Sequence, residues 1–235
     1  MRIQTSSVEL DIVHPPRLGS PCIPLLLQHP FYATISSMTR DQALQQLKDG
    51  NTRHAAAVHR HPHRDAVRRA DLVSGQKPWA AILGCSDSRV PPEIVFDQGL
   101  GDLFVVRTAG HVCDATVTAS LGYAVQHLRV SLVVVLGHCG CGAVNAAIAH
   151  RPEEPDDCLC TAIRPAIEKA RLCEGALCDQ TVRLHTEGMV EHLRHGLPGL
   201  DNGGAAVVGA VYDLASGLVE FLAPAVLSPS PAPGS

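Results

Sequence analysis

Two short stretches carry the residue types that can do chemistry: Cys85-Ser86-Asp87-Ser88-Arg89, and further along Gly137-His138-Cys139-Gly140-Cys141-Gly142. A thiolate from Cys85, an imidazole from His138 and a second thiolate from Cys141 suit a tetrahedral zinc ion. Three protein ligands leave its fourth position open, the mark of a catalytic site rather than a structural one. Two thiolates already cancel the charge of the ion, so a bound water is acidified less than it would be beside three neutral imidazoles. A further group must favour hydroxide and hold its proton. Asp87, two residues from a ligand, can accept that hydrogen bond, and Arg89 can restrain the carboxylate through a bidentate pair. Taken singly, a Cys or His after a strand is more often a buried core residue. It is the combination at two strand ends that points to a metal centre.

The elements that must position these groups alternate along the chain. Residues 80–84, 103–107 and 132–136 read as short apolar strands, and 205–212 with 218–222 as a late strand pair. Helices are expected over 39–47 (capped by Thr39 and stopped near Gly50), 92–96, 116–128, 143–150, 161–172 and 181–194. Strands alternating with helices predict an α/β fold, a mainly parallel central β-sheet flanked by helices. In such sheets the site lies beyond the carboxyl ends of the strands. Cys85 and His138 each follow one.

Composition narrows the function further. The net charge of −4 gives no reason to expect nucleic acid or an anionic membrane as partner. No run approaches the roughly 20 apolar residues of a membrane span. No secretory signal is visible and the Cys spacing is irregular, so reduced thiols and a cytoplasmic location are expected. Residues 1–37 are rich in proline without a sustained period. They read as a poorly ordered N-terminal extension, or as the product of an upstream start site with Met38 the true first residue. The Pro/Ser-rich end, 225–235, reads as a flexible tail, leaving 38–224 as the domain.

At the two zinc motifs the sequence resembles the β-class carbonic anhydrases. The resemblance runs over about 39–222, and includes Val90-Pro91-Pro92-Glu93, the stretch 101–107, Tyr123-Ala124-Val125 and 209–214. It implies zinc-dependent, reversible hydration of carbon dioxide to bicarbonate and a proton, through zinc-bound hydroxide, with one zinc per chain on Cys85, His138 and Cys141 and with Asp87 and Arg89 as catalytic residues. It also implies an N-terminal helical arm reaching over a neighbouring subunit, and a homodimer or dimer-based tetramer with its cleft at the interface. Gln76, Phe104, Tyr123 and Gly142 match the family's cleft: Gln76 as a donor to substrate oxygen, Phe104 and Tyr123 as apolar wall. His111 is a candidate proton relay.

Ile82 stands where family members with a regulatory bicarbonate site carry Trp, so that site is not expected in its usual form. Other readings stay open on the same scaffold: a hydrolase of a carbon dioxide analogue such as carbon disulfide, or a non-catalytic subunit stabilised by zinc. His59, His61 and His63, set among arginines, are expected to form a solvated loop. Cys158, Cys160, Cys173 and Cys178 are expected to be buried or free thiols.

Overall fold

Five strands form the sheet: β1 (Ala80–Cys85), β2 (Leu103–Thr108), β3 (Leu132–His138), β4 (Ala206–Tyr212) and β5 (Val219–Phe221). The computed structural model describes residues 38–222 apart from 152, 154, 156 and 201–204, so the expectations for 1–37 and 225–235 fall outside it. The sheet order is β2-β1-β3-β4-β5, parallel except for the antiparallel β5. β1 and β3 are central and buried along their whole length. That is why they read as nearly unbroken apolar runs, without the alternation of a half-exposed strand. Among the described residues β2 is the edge strand, and each of its residues is half-buried.

Helices α1 (Arg40–Ala55), α2 (Ala66–Asp71), α3 (Pro92–Val95), α4 (Ala115–Gln126), α5 (Gly142–Ala149), α6 (Cys158–Ala170) and α7 (Leu177–Gly196) surround the sheet. On one face, Leu121 of α4 and Val190 and Leu193 of α7 pack on Leu83, Val133 and Val135. On the other, Ala43 and Leu47 of α1 and Val95 of α3 pack on Ile82, Val134 and Leu136. A third cluster, with Val144, Ile163 and Val182, closes around Cys85 and Cys141. The connection out of β1 runs to β2 on one side, and the next crosses over to β3 on the other. The order therefore reverses between β1 and β3, and a crevice opens at their carboxyl ends.

Several boundaries differ from the sequence expectation. Gly50 does not end α1, which runs on to Ala55. A Cβ at position 50 would lie 1.9 Å from the Phe96 carbonyl oxygen, so glycine is there for close approach, not for a stop. Gly50→Ala should therefore lower stability by about 1–3 kcal/mol in denaturant unfolding. Helix propensity alone would favour Ala by about 1 kcal/mol, so the sign of the change separates the two effects. α1 also seats Ala43 and Leu47 in its own chain's core.

The short helix α2 was not foreseen, and α6 begins earlier because the Asp157 side chain caps it, accepting from the Cys160 N–H at 2.7 Å. The histidine-rich loop is not simply solvated. Buried Asp97 accepts from the backbone N–H groups of Arg60 and His61 and from Arg53, while His63 pairs with buried Asp102 at 2.8 Å. No helix among the described residues is long and apolar enough to cross a membrane.

Candidate metal centre

Strands β1 and β3 are hydrogen-bonded neighbours with Gly84 opposite Leu136, so Cys85 and His138 emerge side by side at the crevice. Gly140, at φ 60°, then turns the chain into α5 through the left-handed region that glycine enters freely. Cys141 takes the N-cap position of α5, and the N–H groups of Ala143 and Val144 face its sulfur. All three residues are buried, and their donor atoms lie within 4.8 Å of one another. Cys139 stands outside this group, its thiol turned toward Asp213. Among the described residues no other group of three or more such donors stands together.

The donor set fits zinc. Two Zn–S bonds of about 2.3 Å at a tetrahedral angle set their sulfurs roughly 3.8 Å apart; Cys85 Sγ and Cys141 Sγ are 3.9 Å apart. Nε2 of His138 is buried without a hydrogen-bond partner, while Nδ1–H is committed to the Cys139 carbonyl at 3.0 Å. That bond fixes the tautomer with a lone pair on Nε2, as metal ligation requires. A buried polar atom left unpaired is costly, and a metal removes the cost.

The electrostatics favour a thiolate here. The hydrogen bond from Cys141 is the main cause that holds the Cys85 thiol below its ordinary pKa, against the cost of burial and with help from the Asp87 N–H, 3.4 Å from its sulfur. The same contact pushes the Cys141 thiol up.

Asp87 and Arg89 form the expected bidentate pair, Nε to Oδ1 at 2.9 Å and an Nη to Oδ2 at 2.7 Å. The Arg89 N–H also donates to Oδ1. These bonds hold the Asp87 carboxyl well below the usual carboxylate range. Its Oδ2 stands 3.9 Å from His138 Nε2, at the mouth of the crevice. Arg107, which motif reading passed over, grips the loop from below: it donates to the Cys85 carbonyl at 2.8 Å and to the Asp87 carbonyl at 2.6 Å. The signal for it was a lone cation ending the apolar run of β2. His185 and Thr186 of α7 were also missed, and nothing in their spacing marks them.

The remaining expected residues divide. Gly142 is exposed, and a Cβ there would meet nothing within 4 Å. His111 is fully buried, with a pKa held well below the usual histidine value by desolvation. It has no atom in contact with solvent, contrary to what a relay needs. Phe104 and Tyr123 do meet, with ring centroids 6.3 Å apart. They do so at the far end of the sheet, however: Phe104 pairs with Ala81, whereas Cys85 pairs with Thr108. At roughly 3.3 Å per residue, that separation is about 13 Å along the strand. Gln76 is exposed and precedes β1 at the same far end. One subunit thus does not bring Gln76, Phe104 and Tyr123 to its own thiolates.

Comparison with known proteins agrees with this geometry. Residues 80–219 match the carbonic anhydrase family profile. A carbonic anhydrase of Mycolicibacterium smegmatis is 43% identical over 188 residues, covering 76% of this chain and 91% of that protein. Carbonic anhydrase 2 of Mycobacterium tuberculosis is 60% identical over 107 residues, which are 46% of this chain and 52% of that one. A Coccomyxa β-carbonic anhydrase solved with acetazolamide gives a TM-score of 0.61 at 26% identity, over 76% of this chain and 84% of its own. A structure from a study of two tetrameric β-carbonic anhydrases of Sordaria macrospora gives 0.59 at 26% identity, over 77% and 97%.

Proposed function

This chain belongs to the β-carbonic anhydrase family of lyases, and we propose that it interconverts carbon dioxide and bicarbonate with one zinc ion held by Cys85, His138 and Cys141. The observation that carries the reading is the buried trio of donors at the sheet's switch point, with a thiol pair at zinc spacing and an imidazole nitrogen that has no other partner. Zinc, when bound, supplies Lewis acidity that makes a nucleophile from water near neutral pH.

The chain's own residues do the rest. Asp87 Oδ2 accepts a hydrogen bond from the attacking water and so aims its lone pair at the carbon of carbon dioxide. Arg89 keeps that carboxylate ionised and tethered, away from the metal's open position. The second Arg89 contact, to the Gly140 carbonyl at 3.4 Å, ties the tether to the loop between His138 and Cys141. Arg107 fixes the backbone carbonyls on either side of Ser86, so the ligand and the proton acceptor hold their spacing. The proton leaves by the Asp87 side of the crevice, which touches solvent. His111 takes no part in that exit.

Gln76, Phe104 and Tyr123 complete the cleft from a neighbouring subunit. Their place at the opposite end of their own sheet supports this, as does the half-buried strand β2, the edge of the sheet among the described residues. The protein then acts as a homodimer or a dimer of dimers, each site made from two chains.

Subunit complementation tests this reading. Asp87→Asn and Gln76→Leu homodimers should each hydrate carbon dioxide slowly. Co-expressed, half of the dimers are mixed and each mixed dimer holds one intact site. About a quarter of wild-type turnover should return, as two-fold pairing requires. No recovery would mean that each site is built from one chain, and a wild-type protein without hydration activity would overturn the function itself.

A further inference from the structure

Behind the metal centre lies a buried polar group that the mechanism above does not use. The turn Ala109–His111 leaves β2 in the left-handed region, with Gly110 at φ 61° and His111 at φ 47°. The second is a conformation that a non-glycine residue holds only when its surroundings enforce it. The enforcement comes from two consecutive residues of α7. His185 Nε2–H donates to the Gly110 carbonyl at 3.1 Å. Thr186 spends its hydroxyl hydrogen on the Val182 carbonyl at 2.9 Å, so its oxygen accepts from His111 Nε2–H at 3.2 Å. The two imidazole rings lie 4.8 Å apart, and all three side chains are buried. Burial keeps both rings neutral, with His185 pushed down to about 4.

This clamp touches both ligand strands. The turn follows directly on Thr108, the strand partner of Cys85, whose carbonyl accepts the Ser86 N–H at 2.9 Å. On β3, a Cβ at Gly137 would come within 2.5 Å of Thr186 Oγ1 and 3.3 Å of the His111 ring, so the residue before His138 is pressed against the same group. Packing alone gives no reason for a histidine at position 185. Val182, Val190 and Leu193 already bind α7 to the core, and a buried imidazole costs free energy unless its N–H is used.

We propose that His185 is a positioning residue of the metal centre: by gripping the Gly110 carbonyl it holds the left-handed turn that follows Thr108, the strand partner of Cys85, and so sets how tightly that ligand binds zinc. The proposal rests on zinc being held by Cys85, His138 and Cys141.

Two polar substitutions test it without emptying the core. His185→Gln keeps an N–H near the position of Nε2, whereas the amide of His185→Asn is too short to reach the Gly110 carbonyl. The zinc dissociation constant is read by competition with a chromophoric chelator, and the thiolate-to-metal charge-transfer band by cobalt(II) substitution. Loss of the outer-shell bond should weaken zinc about 10–100-fold in the Asn variant and shift the band. The Gln variant should stay close to wild type on both. Equal zinc constants in all three proteins would overturn the proposal, and so would equal weakening in both variants. A fall in the unfolding midpoint of the metal-free Asn variant with an unmoved zinc constant would also overturn it, by making His185 a folding residue only. Wild-type protein that fails to bind zinc would show instead that the metal assignment itself is wrong.

Discussion

Cys85→Ala is expected to give a folded protein that binds zinc two to four orders of magnitude more weakly and hydrates carbon dioxide no faster than the solvent reaction. Zinc in small three- or four-ligand sites is worth about 10–16 kcal/mol. Shared among the donors, each carries about 3–5 kcal/mol, which sets the expected loss. The substitution removes the sulfur, leaves Cys141 without the partner 3.9 Å away, and leaves His138 Nε2 buried and unpaired. His138→Ala and Cys141→Ala should behave alike, because the three donors act as one set. Cys139→Ala is the control. Its thiol points to Asp213, outside the cluster, so zinc content should be unchanged. Zinc retained by Cys85→Ala but lost by Cys139→Ala would reassign the ligand set.

Asp87→Asn separates metal binding from turnover. The side chain keeps its shape and loses its charge, so the bidentate pair with Arg89 weakens while Cys85, His138 and Cys141 stay in place. Zinc content should remain near one per chain, with the turnover number reduced about 10²–10³-fold, the usual consequence of removing one preorganised polar partner from a reacting site. The comparison is made by measuring metal content and initial rates on the same samples. Full turnover would remove Asp87 from the mechanism. Loss of zinc would make it a ligand rather than a proton acceptor.

How much of this was readable beforehand follows from where each signal lives. That Cys85, His138 and Cys141 stand together, with Asp87 paired to Arg89, is legible in the sequence, because placement at a strand end depends on residue type and on the strand. Both are local. Gly50 misled because a glycine required by the approach of Phe96 looks the same, in sequence, as one required by a helix stop. The buried clamp of His185 and Thr186 was invisible: it depends on α7 crossing behind a turn about 75 residues earlier in the chain, and no short-range period records such a crossing. His111 had the residue type for a relay, but only its burial decides against that role. Gln76, Phe104 and Tyr123 matched by resemblance, yet the strand register sets them about 13 Å from their own thiolates. Strand register is a property of the folded sheet, which the residue types at 76, 104 and 123 do not encode.

The central claim is that a single zinc on Cys85, His138 and Cys141 drives hydration of carbon dioxide. It is tested most directly by stopped-flow hydration on protein titrated from zinc-free to zinc-saturated, with metal content determined on each sample. Turnover should rise in proportion to bound zinc and stop rising at about one ion per chain, as one open three-ligand site requires. Stoichiometric zinc with no hydration above the solvent rate, or full turnover in the zinc-free protein, would contradict it.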